Sequence, residues 1–145
     1  MRKKWLLTFL IPVVLAFADP IPFLTWEVLE NVDFQEKYVK EAGENMLFPK
    51  FPPHLTKWNN KPVIVEGYVI PTDKTGTVAA LSANPYAACF FCGKAGPASV
   101  LTLKFKTKSP NYKTDDYVKF SGTLKLNDND YKEFYYILEN AVEVK

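Results

Sequence analysis

The chain has 145 residues, with 18 Lys plus Arg against 16 Asp plus Glu. Three of those cations are Arg2, Lys3 and Lys4, so residues 19–145 carry 15 cations against 16 anions and contain no arginine. Near neutrality without guanidinium forks argues against nucleic acid and phosphate ligands, which draw on counterion release and bidentate arginine contacts.

The first segment reads as an export signal. Arg2, Lys3 and Lys4 precede an apolar run from Trp5 to Leu15, and Ala16-Phe17-Ala18 places small residues where a signal peptidase reads them. Cleavage is expected before Asp19, giving a signal over 1–18 and a periplasmic or secreted mature chain. The apolar run is short of the roughly 20 residues a membrane helix needs, so no span is expected after cleavage.

Residues 19–60 are expected to form an arm packed on the following domain. Thr25 is placed as an N-cap for a short helical turn over Trp26-Glu27-Val28-Leu29-Glu30. Phe34, Tyr38 and Ala42 recur at spacing four before Gly43, which allows a second short helix, although an extended reading fits almost equally well. Phe48-Pro49-Lys50-Phe51-Pro52-Pro53 is too proline-rich for helix. The arm's aromatics are expected to hold it to the domain.

From Lys61 the pattern turns to period two. Val63, Val65, Gly67 and Val69 share one strand face, and Pro71 ends the strand. A second strand over Thr77–Ser82 can pair back across the Asp73-Lys74-Thr75-Gly76 turn. Leu101, Leu103 and Phe105 alternate with Thr102, Lys104 and Lys106. Val118, Phe120, Gly122, Leu124 and Leu126 line one face of a fourth strand. Asn127-Asp128-Asn129-Asp130 is turn chemistry, and a fifth strand runs from about Phe134 to Val144. Mid-strand glycines let a strand coil tightly enough to serve both halves of a small barrel. The expected architecture over 61–145 is therefore mainly β, a five-stranded OB-like Greek-key barrel, with a sandwich as the alternative. Its outside is expected to be polar, and Phe105, Phe120 and Tyr136 to be core.

Several segments together resemble an exported bacterial family catalogued as domain of unknown function 3299. The resemblance rests on Trp26-Glu27-Val28-Leu29, on Lys61-Pro62-Val63-Ile64-Val65-Glu66-Gly67-Tyr68-Val69-Ile70-Pro71 and on Cys89-Phe90-Phe91-Cys92-Gly93-Lys94-Ala95-Gly96-Pro97. It continues through Phe120-Ser121-Gly122-Thr123-Leu124 and Tyr136-Ile137-Leu138-Glu139-Asn140-Ala141. It implies an OB-like exported domain, sometimes associated with metal-uptake or transporter systems, and no reaction.

Cys89 and Cys92 are the only cysteines. In an oxidising compartment they form a disulfide, bind metal or exchange redox equivalents. A redox pair wants a helix start to lower a thiol pKa, whereas Gly93, Lys94, Ala95, Gly96 and Pro97 follow Cys92. Zinc needs a full tetrahedral set beyond two sulfurs, and the sole histidine, His54, reads as a surface or capping residue; Asp73, Asp115 and Asp116 show no ligand spacing. Haem attachment fails because Gly93 stands where a histidine is required. No Ser-His-Asp set and no Ca²⁺ loop can be assembled.

The expected state is a Cys89–Cys92 disulfide, a short ring that acts through shape rather than chain entropy. The long connection holding Asn84, Pro85, Cys89, Phe90, Phe91, Cys92, Gly93, Lys94, Gly96 and Pro97 is the expected contact site. The expected function is binding, as an envelope accessory protein with an envelope or transporter partner and zinc the one cofactor in view. A thiol-disulfide exchange protein and a structural subunit of an envelope complex are the alternatives.

Overall fold

The computed structural model describes residues 20–145 except 90–92, 94, 109 and 110. The signal expected over 1–18 lies outside the described residues. Chain order is α1 (Trp26–Glu30), β1 (Asp33–Val39), β2 (Glu44–Lys50), α2 (Pro53–Thr56), β3 (Lys61–Pro71), β4 (Val78–Ser82), β5 (Val100–Phe105), β6 (Tyr117–Leu126) and β7 (Tyr136–Glu143). Among the described residues no helix is long and apolar enough to cross a membrane.

The five strands expected over 61–145 all form, and they close a barrel in the order β3-β4-β5-β7-β6. Only β5 and β7 run parallel among these neighbours. That pairing is the Greek-key return of an OB-type barrel. Val63, Val65 and Val69 face inward to meet Leu101, Leu103, Phe120, Leu124, Tyr136 and Leu138. Phe120 and Tyr136 are fully buried, while Phe105 is half-buried against Phe120 at 5.8 Å.

Both mid-strand glycines sit where the backbone is crowded. Tyr68 pairs with Tyr117 of β6 and also with Ser82 of β4, so β3 changes partner just beyond Gly67 without a bulge. Gly122 lies at the register shift between β6 and β7.

Of the two readings of the Phe34–Ala42 stretch, the extended one holds for Phe34 and Tyr38 and the helical one does not. Phe34 and Tyr38 belong to β1, which pairs with β2 from Asp33↔Lys50 to Val39↔Glu44, so no helix spans Phe34–Ala42. A spacing of four fits either period, because residues i and i+4 share a face in strands as well as helices. Gly43 turns this hairpin at φ +73° instead of stopping a helix. The arm departs from expectation at α2, which begins at Pro53, the last residue of the proline-rich stretch. Proline suits a first helical turn, where its missing N–H would have had no intrahelical partner.

Aliphatic residues as well as aromatics join the arm to the barrel. Leu24, Leu29 and Leu55 are buried in the same core as the β3–β7 side chains. The backbone of 22–24 runs parallel to β3, with Leu24 N–H donating to Ile64 O and Ile64 N–H to Pro22 O, both at 2.8 Å. Trp26 Nε1 donates to Glu66 O at 2.8 Å. Thr25 holds the N-cap position of α1 but its side chain makes no capping bond.

The buried Tyr136 hydroxyl donates to Leu29 O at 2.5 Å, and burial pushes this phenol well above its ordinary pKa. Tyr136→Phe strands the Leu29 carbonyl, so a loss of about 1–2 kcal/mol is expected in urea unfolding. An unchanged midpoint would mean water reaches that carbonyl.

Candidate functional site

The connection from β4 to β5 is the expected contact loop, and its described residues form a strap across the barrel's outer face. Ala83 N–H donates to Ser99 O at 2.9 Å and closes its base. Pro85 leads into a 3₁₀ turn over Tyr86–Ala88, where Tyr86 N–H donates to Asp115 Oδ1 at 2.7 Å. Gly96 precedes a second 3₁₀ turn, Pro97–Ser99, whose buried Ser99 hydroxyl donates to Gly96 O at 2.6 Å. Gly93 takes φ +67°, a conformation that favours glycine. Asn84 N–H donates to Ser82 Oγ at 3.1 Å. Phe90, Phe91, Cys92 and Lys94 lie outside the described residues.

Cys89 anchors the strap. Its side chain is fully buried with Ile70, Ala80 and Val100, against Phe134. These residues alternate with the inward-facing Val69, Ala79, Leu81 and Leu101, so they lie on the outer side of β3, β4 and β5. The expectation of a polar exterior therefore fails here, since Ser82 and Thr102 are buried too. An OB barrel commonly receives oligonucleotides or oligosaccharides on the face of its second and third strands. In this chain those strands are β4 and β5, and the strap occupies that face.

A thiol-exchange role requires an exposed thiolate, and Cys89 does not supply one. In a reduced Cys92→Ser chain, a maleimide reagent should label Cys89 at least about 100-fold more slowly before denaturation than after it. Equal rates would show that the strap lifts freely.

Beside the strap, a groove of about 220 Å³ runs between β2, Pro97 and the 127–135 loop. Its walls are mainly apolar and aromatic, with Met46, Leu47 and Phe48 on one side and Tyr131, Phe134 and Tyr135 on the other. Tyr135 Oη donates to Leu47 O at 2.8 Å, and Phe34 lies 5.7 Å from the Tyr135 ring. Burial raises the Tyr135 pKa.

The loop owes its shape to buried Asn127. The Asn127 amide donates to Asp130 O at 2.7 Å and Phe134 O at 3.1 Å, and Oδ1 accepts from Asp130 N–H at 2.9 Å. Glu133 accepts from Lys104 Nζ at 2.8 Å and Thr102 Oγ1 at 3.3 Å, fastening the loop to β5. Groove residues from β2 and from 131–135 are distant in sequence, which is why alternation along the chain did not reveal them.

A larger cavity, about 370 Å³, lies at the barrel end between the 73–76 turn and residues Asn111 and Tyr112. Its carboxylate, Asp73, is engaged locally by the hydroxyls of Thr75 and Thr77 and by Gly76 N–H. The Thr75 bond leads these in holding Asp73 below its ordinary pKa. Tyr112 stacks on Phe105 at 6.0 Å and donates to Glu143 at 2.8 Å; burial and that carboxylate push its pKa up. These groups close a barrel end and present no nucleophile–base pair.

Metal ligation gains no geometric support. Among the described residues no three His, Cys, Asp or Glu side chains cluster, and His54 Nε2 is buried without a hydrogen-bond partner. Asp115 and Asp116 instead organise turns, Asp115 through Tyr86 N–H and Asp116 through Lys113 N–H at 2.7 Å.

Neither a protein-family model nor a curated protein matches the chain. Among solved structures, it is similar to the crystal structure of a DUF3299 family protein (PA4066) from Pseudomonas aeruginosa PAO1. The TM-score is 0.55 at 13% identity, covering 87% of this chain and 97% of that one. The likeness is one of fold.

Proposed function

We propose that the protein is exported and acts by binding a partner, with the strap and the adjoining groove as its contact surface. The observation carrying this reading is the placement of Pro97, where the Cys89-anchored strap ends as a wall of the apolar, tyrosine-rich groove. Aromatic side chains beside an apolar trough suit a protein segment, which gains from burying them with their hydroxyls still bonded. The resemblance to the DUF3299 family points to an envelope protein or transporter component as partner, with metal uptake as the system served.

The test is site-specific photocrosslinking in living cells. A photoreactive residue at Leu47 or Tyr131 should yield a discrete adduct, and one at exposed Asn140 of β7 should not. Leu47→Asp should remove the Tyr131 adduct. Identical patterns at all three positions would sink the contact surface, and recovery of the chain in the cytoplasmic fraction would sink export.

A further inference from the structure

We propose that a second surface, around the point where residue 20 enters the fold, docks on an anionic lipid bilayer. This goes beyond the strap reading and does not depend on it. A shallow cleft is lined by Pro20, Ile21, Pro22, Lys57, Trp58 and Lys61. Ile21 is 44% exposed, and Phe23 beside it is 45% exposed. Lys57 Nζ sits 4.9 Å from the Trp58 ring, and Lys119 Nζ sits 5.6 Å from the Phe23 ring. Apolar tips, a tryptophan and a rim of lysines are the side chains that partition to a headgroup layer.

The chain over 19–145 is near neutral, with 15 cations against 16 anions, and the attraction to an anionic surface is local to this cleft. Lys57 and Lys61 form no ion pair among the described residues, while Lys119 shares its charge with Glu66 at 3.5 Å. Juxtamembrane lysines are each worth about fivefold in partition to an anionic leaflet.

The backbone suits the same environment. Prolines 20 and 22, with Pro62 on the cleft wall, have no N–H to desolvate on contact with lipid. The two hydrogen bonds between 22–24 and Ile64 hold Ile21 and Phe23 on a preset platform, so little ordering is needed on docking.

The test uses the full chain, expressed with its own leader, with the purified N-terminus read by mass spectrometry. Vesicles of phosphatidylcholine with and without phosphatidylglycerol are the probe. Sedimentation should show binding to the anionic vesicles that weakens with salt, and Lys57→Gln with Lys61→Gln should reduce it about 25-fold. Brominated lipid should quench the fluorescence difference between the parent and Trp58→Phe.

Ile21→Ser with Phe23→Ser should remove the binding left at high salt. If residues 1–18 remain attached and hold the chain to every vesicle, Trp58 quenching and its loss in the lysine variant decide the outcome. Equal binding to neutral vesicles by the cleaved chain, an unquenched Trp58, or a lysine variant that behaves like the parent would each overturn the proposal. So would a dimer in sedimentation velocity that the same substitutions dissociate, since the face would then join two copies.

Discussion

Gly67→Ala should lower stability by about 3 kcal/mol, near the upper end for overpacking a tight site. A Cβ at Gly67 would lie 2.5 Å from Ser82 O and 3.2 Å from Leu81 Cγ. The first neighbour is backbone of β4, so no side-chain rotation relieves the clash. The strand must part from β4 where it is leaving β6, at the one place it serves both sides of the barrel. A thermal midpoint lower by roughly 12 °C is the expected reading for a domain of this size.

Gly122→Ala should fall in the same direction, because its Cβ would meet Glu139 O at 2.7 Å and Leu138 Cγ at 2.8 Å. By contrast, Gly96 has open space around its Cβ position, so Gly96→Ala should leave the midpoint nearly unchanged. A Gly67→Ala chain as stable as the parent would mean β3 can separate from β4 without opening the barrel.

The second large effect is expected at Leu29. Its side chain is fully buried among barrel residues although it comes from the five-residue α1. Leu29→Ala should cost about 3 kcal/mol through lost transfer energy and the cavity left behind. A helix of this length has no independent stability, so its burial and the Tyr136 bond hold it in place.

Circular dichroism and urea unfolding should show one transition moved to lower denaturant, because arm and barrel share a core. Two separated transitions would show that the arm unfolds independently. A negligible shift would mean the barrel closes without α1.

The strands of the barrel were legible because a half-buried strand records its two sides locally. Val63 to Val69 and Val118 to Leu126 alternate so regularly that their inward faces could be assigned without a partner. The candidate contact site was legible only in part. The connection bearing Cys89 stood out by its length and composition, but its course across β4 and β5 did not. Thr102 read as an exterior polar residue, yet it is buried and its hydroxyl donates to Glu133. The groove was not foreseen, because Leu47, Pro97 and Tyr135 become neighbours only when β2 meets two separate connections.

Legible in the chain alone were the five strands, the inward faces of β3, β5 and β6, and the two strands that carry a mid-strand glycine. Each of these follows from neighbours within a few residues, where alternation, chain breakers and side-chain size act directly. The tertiary structure alone decided that Phe34 and Tyr38 lie in a hairpin, that Leu29 and Leu55 complete the core, and that Cys89 seals an outer face. Those outcomes depend on which apolar surface finds which partner. Hydrophobic burial is non-directional, so the chain's pattern states how much surface must be covered but leaves the covering segment to be chosen by closure of the whole fold.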